Sequence, residues 1–471
     1  MKRLLIAGAM LALMIVPQTQ VWAESEEFTP AQQEQMQKMF QEWYTKQQMM
    51  GGGMTQIAPP SLDPSKKMPA LGDTTQRIQR FGDTFTGGSG LQGGRTIYAK
   101  PFVKAPKTIV GGYIDFTITD CNGGSRDCSR GLEFDQERFV PFFYSQVTDR
   151  LSVAAEVEIE HGGPQGNQSD GDIKIEFATM DYRFEDWINL RAGIILIPMG
   201  RFNLIHDSPL NDLPLRPMVS RLVIPSTFAE SGFGFYGTFY PTQLSKVDYE
   251  IYVTQGFDGG MGFGTGGPTT IKEDLGLRSS RGSFKKDNNE NKAIVSRISL
   301  SPILGVEVAG SIHHGYWDDN SDHALTILAV DGNLQRGPFE IQGEAAWANI
   351  EGGNPMPFAT IGVPPANMSG YYVQFNYHFF PEALKQWAST YFSDSSTFTG
   401  VVRWGQVDTN TASSTNANEI DRLTLGLNLR PTEDSVVKFS YTFNDHNAGT
   451  VGPTHSPGSA NGWQASATTY F

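Results

Sequence analysis

From about Thr108 the chain alternates apolar and polar residues, and it does so to Phe471. Sixteen stretches of this kind can be marked, among them LSVAAEVEIE, SGYYVQFNYHF, RLTLGLNLR and the last, WQASATTYF. Alternation at period two places one set of side chains on each face of a strand. Most stretches run about nine to eleven residues, the length a tilted strand needs to cross the hydrocarbon layer of a bilayer.

The connections are sorted by parity. VTDR, FEDW, SPILG, QRGP and PTED are tight turns, while the Cys loop, GGPQGNQSDGD, 197–228, 258–292 and three later segments are long. Two members break the rule: DDNSDH is short in the long set, and 380–397 is long in the short set. Short turns at one end and long loops at the other are the layout of an all-β, up-and-down antiparallel transmembrane barrel. A barrel has no free edge, so the terminal strand must pair with the first. A terminal strand ending in Phe also resembles the signal read by the barrel-assembly machinery of Gram-negative bacteria.

The faces are chemically distinct. Leu151, Val153, Ala155, Val157 and Ile159 share one parity, and Ser152, Ala154, Glu156, Glu158 and Glu160 the other. Three carboxylates cannot face lipid at that cost, so they face a wet lumen. The same rule assigns Lys174 and Arg191 to the lumen from the early strands, and Arg403, Arg422, Arg430 and Lys438 from the late ones. One wall is then mostly acidic and the other basic, a field that orients water and dipolar solutes. Local pairing of Glu156 or Glu158 with Lys174 and Arg191 is the competing reading.

Residues 1–23 read as a secretory signal, with Lys2 and Arg3 before an apolar run and Val21-Trp22-Ala23 at the cleavage site. Residues 24–107 read as an N-terminal periplasmic helix and a Gly- and Pro-rich linker, leaving 108–471 as the barrel. Met36, Met39, Phe40, Trp43, Gln47 and Met50 form a narrow stripe on that helix, consistent with self-packing or a short trimerising coil. Loss of the signal removes two positive charges, so the formal net charge of -14 becomes -16. An acidic chain of this kind disfavours nucleic acid. Cys121 and Cys128, the only cysteines, suit a small loop disulfide in an oxidising compartment. No haem or metal motif occurs, and no cofactor is expected.

The segment PMGRFNLIHDSPLNDLPLRPMVSRLVIPST is too apolar for a free surface loop. It is expected to fold into the barrel mouth and narrow it. Arg201, His206, Asp207, Asp212, Arg216 and Arg221 are its candidate selectivity residues.

ERFVPFFYSQVTDRLSVAAEVEIEHGG, DYRFEDWINLRAGIILIPMGRFNLIHDSPL and RPMVSRLVIPST together resemble the outer-membrane porins of the phosphate-selective O and P type. The resemblance is clearest over about 108–240. It implies a sixteen-stranded trimer in the outer membrane of a Gram-negative bacterium, a passive channel for small hydrophilic solutes or ions, and not an enzyme. Phosphate selectivity does not carry over, because the lumen set here is mostly Glu and Asp rather than an arginine and lysine ladder. The alternatives are a barrel sheath around a multihaem cytochrome and an outer-membrane barrel enzyme.

Overall fold

The structure, a computed structural model, describes residues 108–471 apart from 123–130, 165–170, 261–269, 272–275, 354–363, 389–390, 393–394, 414–417 and 447–460. The signal segment, the N-terminal helix and linker, and Cys128 lie outside the described residues.

Sixteen antiparallel strands form one closed barrel. They are β1 (Thr108–Cys121), β2 (Glu133–Gln146), β3 (Leu151–Glu160), β4 (Asp172–Glu185), β5 (Ile188–Leu196), β6 (Ala229–Phe239), β7 (Lys246–Thr254) and β8 (Ala293–Ser301). β9 (Val306–Tyr316), β10 (Ala324–Arg336), β11 (Phe339–Ile350), β12 (Asn367–Phe379), β13 (Thr397–Asp408), β14 (Glu419–Thr432), β15 (Ser435–His446) and β16 (Gly462–Tyr470) complete the ring. Each strand pairs with its neighbours in sequence, and β1 pairs with β16 to close the circle.

The closure explains the aromatic end. Register runs from Tyr113 opposite Tyr470 to Cys121 opposite Gly462. Beyond it, the Phe471 amide donates to the Gly112 carbonyl at 2.9 Å, and the Gly112 amide donates back at 3.2 Å. A Cβ on Gly112 would lie 2.6 Å from the Phe471 ring, so only glycine lets the ring seat there. Phe471 then stacks on Phe139, with centroids 5.7 Å apart. β16 also splits its faces as its alternation predicts: Gln464, Ser466, Thr468 and Tyr470 are buried inside.

The outside is built for hydrocarbon. Leu425, Leu427, Val437, Phe439, Ile294 and Ile298 all point outward, and Ile298 keeps 58% of its surface exposed. At the short-turn rim of β11–β13 the aromatics form a run. Phe375, Phe339, Tyr377, Phe379 and Phe398 follow one another with centroids 6.0, 5.2, 5.5 and 5.8 Å apart. An apolar belt with an aromatic girdle on a barrel without edges is the architecture of an outer-membrane-type transmembrane barrel. The long connection 380–397 holds a short helix, Glu382–Trp387, which is why it breaks the parity of loop lengths.

Candidate functional site

The segment 197–228 leaves β5 and turns into the barrel. Gly200 makes the turn at φ +67°, and a Cβ there would lie 2.5 Å from a Glu344 oxygen. Asn203, fully buried, clamps the neck of the loop. Its amide nitrogen donates to the Ile197 and Phe228 carbonyls at 2.8 and 3.0 Å, and its oxygen accepts from the Phe228 amide and the Ser226 hydroxyl at 2.8 and 3.0 Å. One asparagine thus satisfies backbone groups from both ends of the crossing.

The segment is then tied to the wall on nearly every side. The His206 Nδ1–H donates to the Asn203 carbonyl at 2.8 Å, and its Nε2 lies 3.1 Å from Glu176 of β4. The Tyr470 hydroxyl of β16 donates to Asp207 at 3.1 Å, and the Ser208 hydroxyl donates to Asp115 of β1. Lys438 of β15 donates to the Ser208 carbonyl, and Arg430 of β14 to the Pro209 carbonyl, each at 2.7 Å. Arg430 also meets Asp212 at 3.3 Å, with Asn376 and Asn428 on the same carboxylate at 2.8 and 3.2 Å. Burial pushes the Asp212 carboxyl above its usual range, against the pull of Arg430. Arg403 of β13 donates to the Leu215 carbonyl at 2.7 Å. Helix α1 (Val219–Leu222) then lies against β11–β13, where the Ser220 hydroxyl donates to Glu344 at 2.7 Å.

The expected inward fold is therefore what the chain adopts, and its apolar residues explain why. Met199, Val219, Leu222, Val223, Ile224 and Phe228 join Tyr252, Val295, Trp317, Leu325, Ile327 and Tyr372 of the wall side in one buried cluster. The barrel carries a hydrophobic core inside its lumen, toward the long-loop end of the middle strands. Burial of this apolar surface drives the segment inward.

The loop after β7 is laid over the crossing segment. The Leu277 amide donates to the Leu222 carbonyl at 2.9 Å. Arg278 and Arg281 reach the carbonyls of Ser226 and Thr227 respectively, and Arg216 reaches the Thr227 hydroxyl at 3.5 Å. With Arg221 these make a cluster of four. Burial, then Arg281, Arg216 and Arg221, depress the Arg278 guanidinium to about 9, with Glu160 opposing. Burial lowers Arg281 too, against Glu158 and Glu160. Arg278 still carries its charge at neutral pH.

An acidic strip on β2–β4 faces this cluster. Glu137, Glu156, Glu158, Glu160 and Glu176 share it with two cations. Arg138 meets Glu158 at 2.8 Å and Glu137 at 3.1 Å, and Lys174 meets Glu158 and Glu160 at 2.7 Å each. Five carboxylates against two cations leave the strip negative. Water reaches it: the Glu137 side chain is 28% exposed and Lys174 22%.

Of the residues singled out from the sequence, Arg216, Arg221, Glu158, Glu160 and Lys174 meet at this opposition, while Glu156, buried on the same face of β3, acts on Tyr470. Arg191 lies lower on the wall. Glu156 or Glu158 had been its expected partners, but it pairs with Asp181 at 2.7 Å and Glu250 at 4.0 Å and covers the Tyr236 ring. The reason is register, which sets Asp181 directly opposite Arg191. Arg403 and Lys438 bond carbonyls of the crossing segment, and Arg422 donates to Asn444 at 2.7 Å. The late basic wall thus lies behind the segment rather than across bare lumen from the acidic one. His206, Asp207 and Asp212 are buried anchors, and Arg201 is buried against the same wall. Cys121 is disulfide-bonded.

Sequence reading passed over Arg138, Glu137, Asn203, Arg278 and Arg281. Arg278 and Arg281 had a visible signal, the RSSR pair between Gly276 and Gly282 in an otherwise polar loop. Glu137 and Arg138 were lost because β2 begins at Glu133, before the first strongly apolar alternation.

No known family profile matches the chain. An uncharacterized protein of Aquifex aeolicus is 26% identical over 256 residues, 52% of this chain. The match spans 56% of that relative's own length. Among solved structures, the outer membrane channel DcaP of Acinetobacter baumannii is 12% identical at a TM-score of 0.48, covering 77% of this chain and 97% of that one. The anion-selective porin from Comamonas acidovorans is 10% identical at 0.48, covering 77% and 99%. OmpT of Vibrio cholerae is 10% identical at 0.46, covering 78% and 99%. The phosphate-selective type is not singled out among them.

Proposed function

We propose that the chain is an outer-membrane diffusion channel for small hydrophilic solutes or ions, and that it works without catalysis. The observation that carries this is the opposition of four loop arginines to a water-reached acidic strip inside a barrel. Charges of both signs facing each other create a transverse field, which orders water and sorts solutes by charge as they pass. Nothing need be bound tightly for this to work.

The strip of glutamates opposite the arginines supports a general pore over one dedicated to phosphate. A sheath around a cytochrome is disfavoured, because the anchored segment 197–228 and its apolar core occupy space that a threaded partner would need. Trimeric assembly belongs to the same proposal.

Single-channel current in a planar bilayer, with purified mature protein and a KCl gradient, tests it. Stepwise conductance in multiples of three supports a trimeric channel. The reversal potential reports whether arginines or glutamates dominate. Silence from correctly folded protein refutes the channel.

A further inference from the structure

Trp387 and Tyr391 are the most exposed large apolar side chains among the described residues, at 85% and 79% of their surface. Both stand on the connection between β12 and β13, beyond the ends of the strands. Exposed apolar surface of that kind marks a contact to be made. The other aromatics of the connection show which side of the wall it takes. Phe379 and Phe398 are cross-strand partners. They share the outward parity of Phe375, Tyr377, Val402 and Trp404, while Thr399, beside Phe398, is buried inside. Phe380 packs on Phe398 with centroids 5.9 Å apart, and Phe392 meets Phe380 edge-on at 5.4 Å. These contacts hold the connection on the lipid-facing side of the barrel and not over the lumen.

Between Phe380 and Phe392 the chain is amphipathic. In the short helix Glu382–Trp387, Leu384 and Trp387 share one face. Glu382 and Gln386, both exposed, share the opposite one. The Ala388 amide closes the helix on the Leu384 carbonyl at 2.8 Å, and a further turn, from the Tyr391 amide to the Ala388 carbonyl at 2.9 Å, leads to Tyr391 and Phe392. Phe375, Phe339, Tyr377, Phe379 and Phe398 are the aromatic girdle at this rim. Phe380 and Phe392 carry it off the wall, and Trp387 and Tyr391 follow on the same connection. At such a boundary a tryptophan or tyrosine sets its ring against the upper acyl chains and its N–H or O–H toward water.

We infer that this connection is an interfacial anchor, whose Trp387 and Tyr391 insert among the phospholipid headgroups of the leaflet at the short-turn rim. Lipid is the partner, because the rings continue a surface that already faces hydrocarbon. The anchor fixes the height of the β12–β13 side in the bilayer, whatever passes through the lumen.

Purified mature protein in phosphatidylcholine vesicles tests this. The tryptophan emission of wild type minus that of Trp387→Phe isolates Trp387. It should lose most of its intensity to lipids brominated near the top of the acyl chains, and less to lipids brominated near the chain ends or to aqueous iodide. Quenching by iodide alone puts the ring in water and overturns the inference. Quenching by none of the three puts it in a protein contact, such as a second copy of the chain, and also overturns it. Stronger quenching from the chain ends buries the ring in hydrocarbon and rejects the headgroup position. A nitroxide on Tyr391→Cys gives an independent reading, since there is no free cysteine among the described residues. The label should be more accessible to oxygen than to a water-soluble nickel chelate, and the reverse order overturns the inference.

Discussion

The early wall, β2–β4, and the late wall, β11–β15, are both charged on their lumen faces, yet they use charge differently. On the early wall Glu137, Arg138, Glu160 and Lys174 pair with one another, keep contact with water and face the loop arginines. On the late wall Arg403, Arg430 and Lys438 are buried and donate to main-chain carbonyls of Leu215, Pro209 and Ser208. Two stretches of similar alternation thus become a field and a set of fasteners. What covers a charge decides its role, and cover comes from a segment distant in sequence.

The strongest way to break this division is to release the segment at its neck. Asn203→Ala leaves the Phe228 amide and the Ser226 hydroxyl without their acceptor, while the Ile197 and Phe228 carbonyls keep the Met199 and Ile197 amides. With unmet buried groups worth ~1–3 kcal/mol each, a loss of about 3–5 kcal/mol is expected in denaturant unfolding of the reconstituted protein. Channel current should also become noisier. Unchanged stability would show that the apolar cluster alone holds the crossing.

Next comes a late-wall fastener. Lys438→Met removes the donor to the Ser208 carbonyl, and a loss of about 1–3 kcal/mol is expected on the same assay, as for a buried bond to a charged group. The reversal potential should not move. A clear shift in selectivity with stability intact would reverse the assignment of that wall.

The third test strikes the early side. Arg278→Glu with Arg281→Glu should lower the chloride-to-potassium permeability ratio by roughly tenfold, equivalent to ~1.4 kcal/mol, with a smaller change in stability. A ratio unaffected by two charge reversals would place selectivity elsewhere.

The barrel was legible because alternation, strand length and loop parity are local signals. LSVAAEVEIE fixes its own inward face through three glutamates, and WQASATTYF reads the same way. The inward fold of 197–228 could be read from its apolar residues, which no surface loop would carry. Arg191's partner was not legible, since a one-strand register chooses between Glu158 and Asp181. Nor was the role of Lys438, whose acceptor is a carbonyl 230 residues away. Main-chain acceptors leave no trace in sequence pattern, whereas opposite side-chain charges do. Arg278 and Arg281 matter through their meeting with Ser226 and Thr227 in another loop, a contact that only tertiary packing creates.

The smallest expected effect lies at the outer edge of the early wall. His161 begins the turn after β3 in a left-handed conformation, φ 50°, and its Nδ1 lies 2.7 Å from Asp135. Burial lowers the imidazole pKa, but Asp135, with Glu137 and Glu160, raises it on balance. A base whose folded pKa is raised contributes stability that is complete below its unfolded pKa, about 6.5, and lost as pH climbs through the folded value. The side chain is 40% exposed, so only local opening should respond. Hydrogen exchange at Gly162 and Gly163, corrected for intrinsic base catalysis, should quicken as pH rises from about 6 to 8. In His161→Gln the corrected rates should be flat. The same rise in both proteins would mean that the acidic strip does not extend its field to the mouth, and that the early wall is charged only below it.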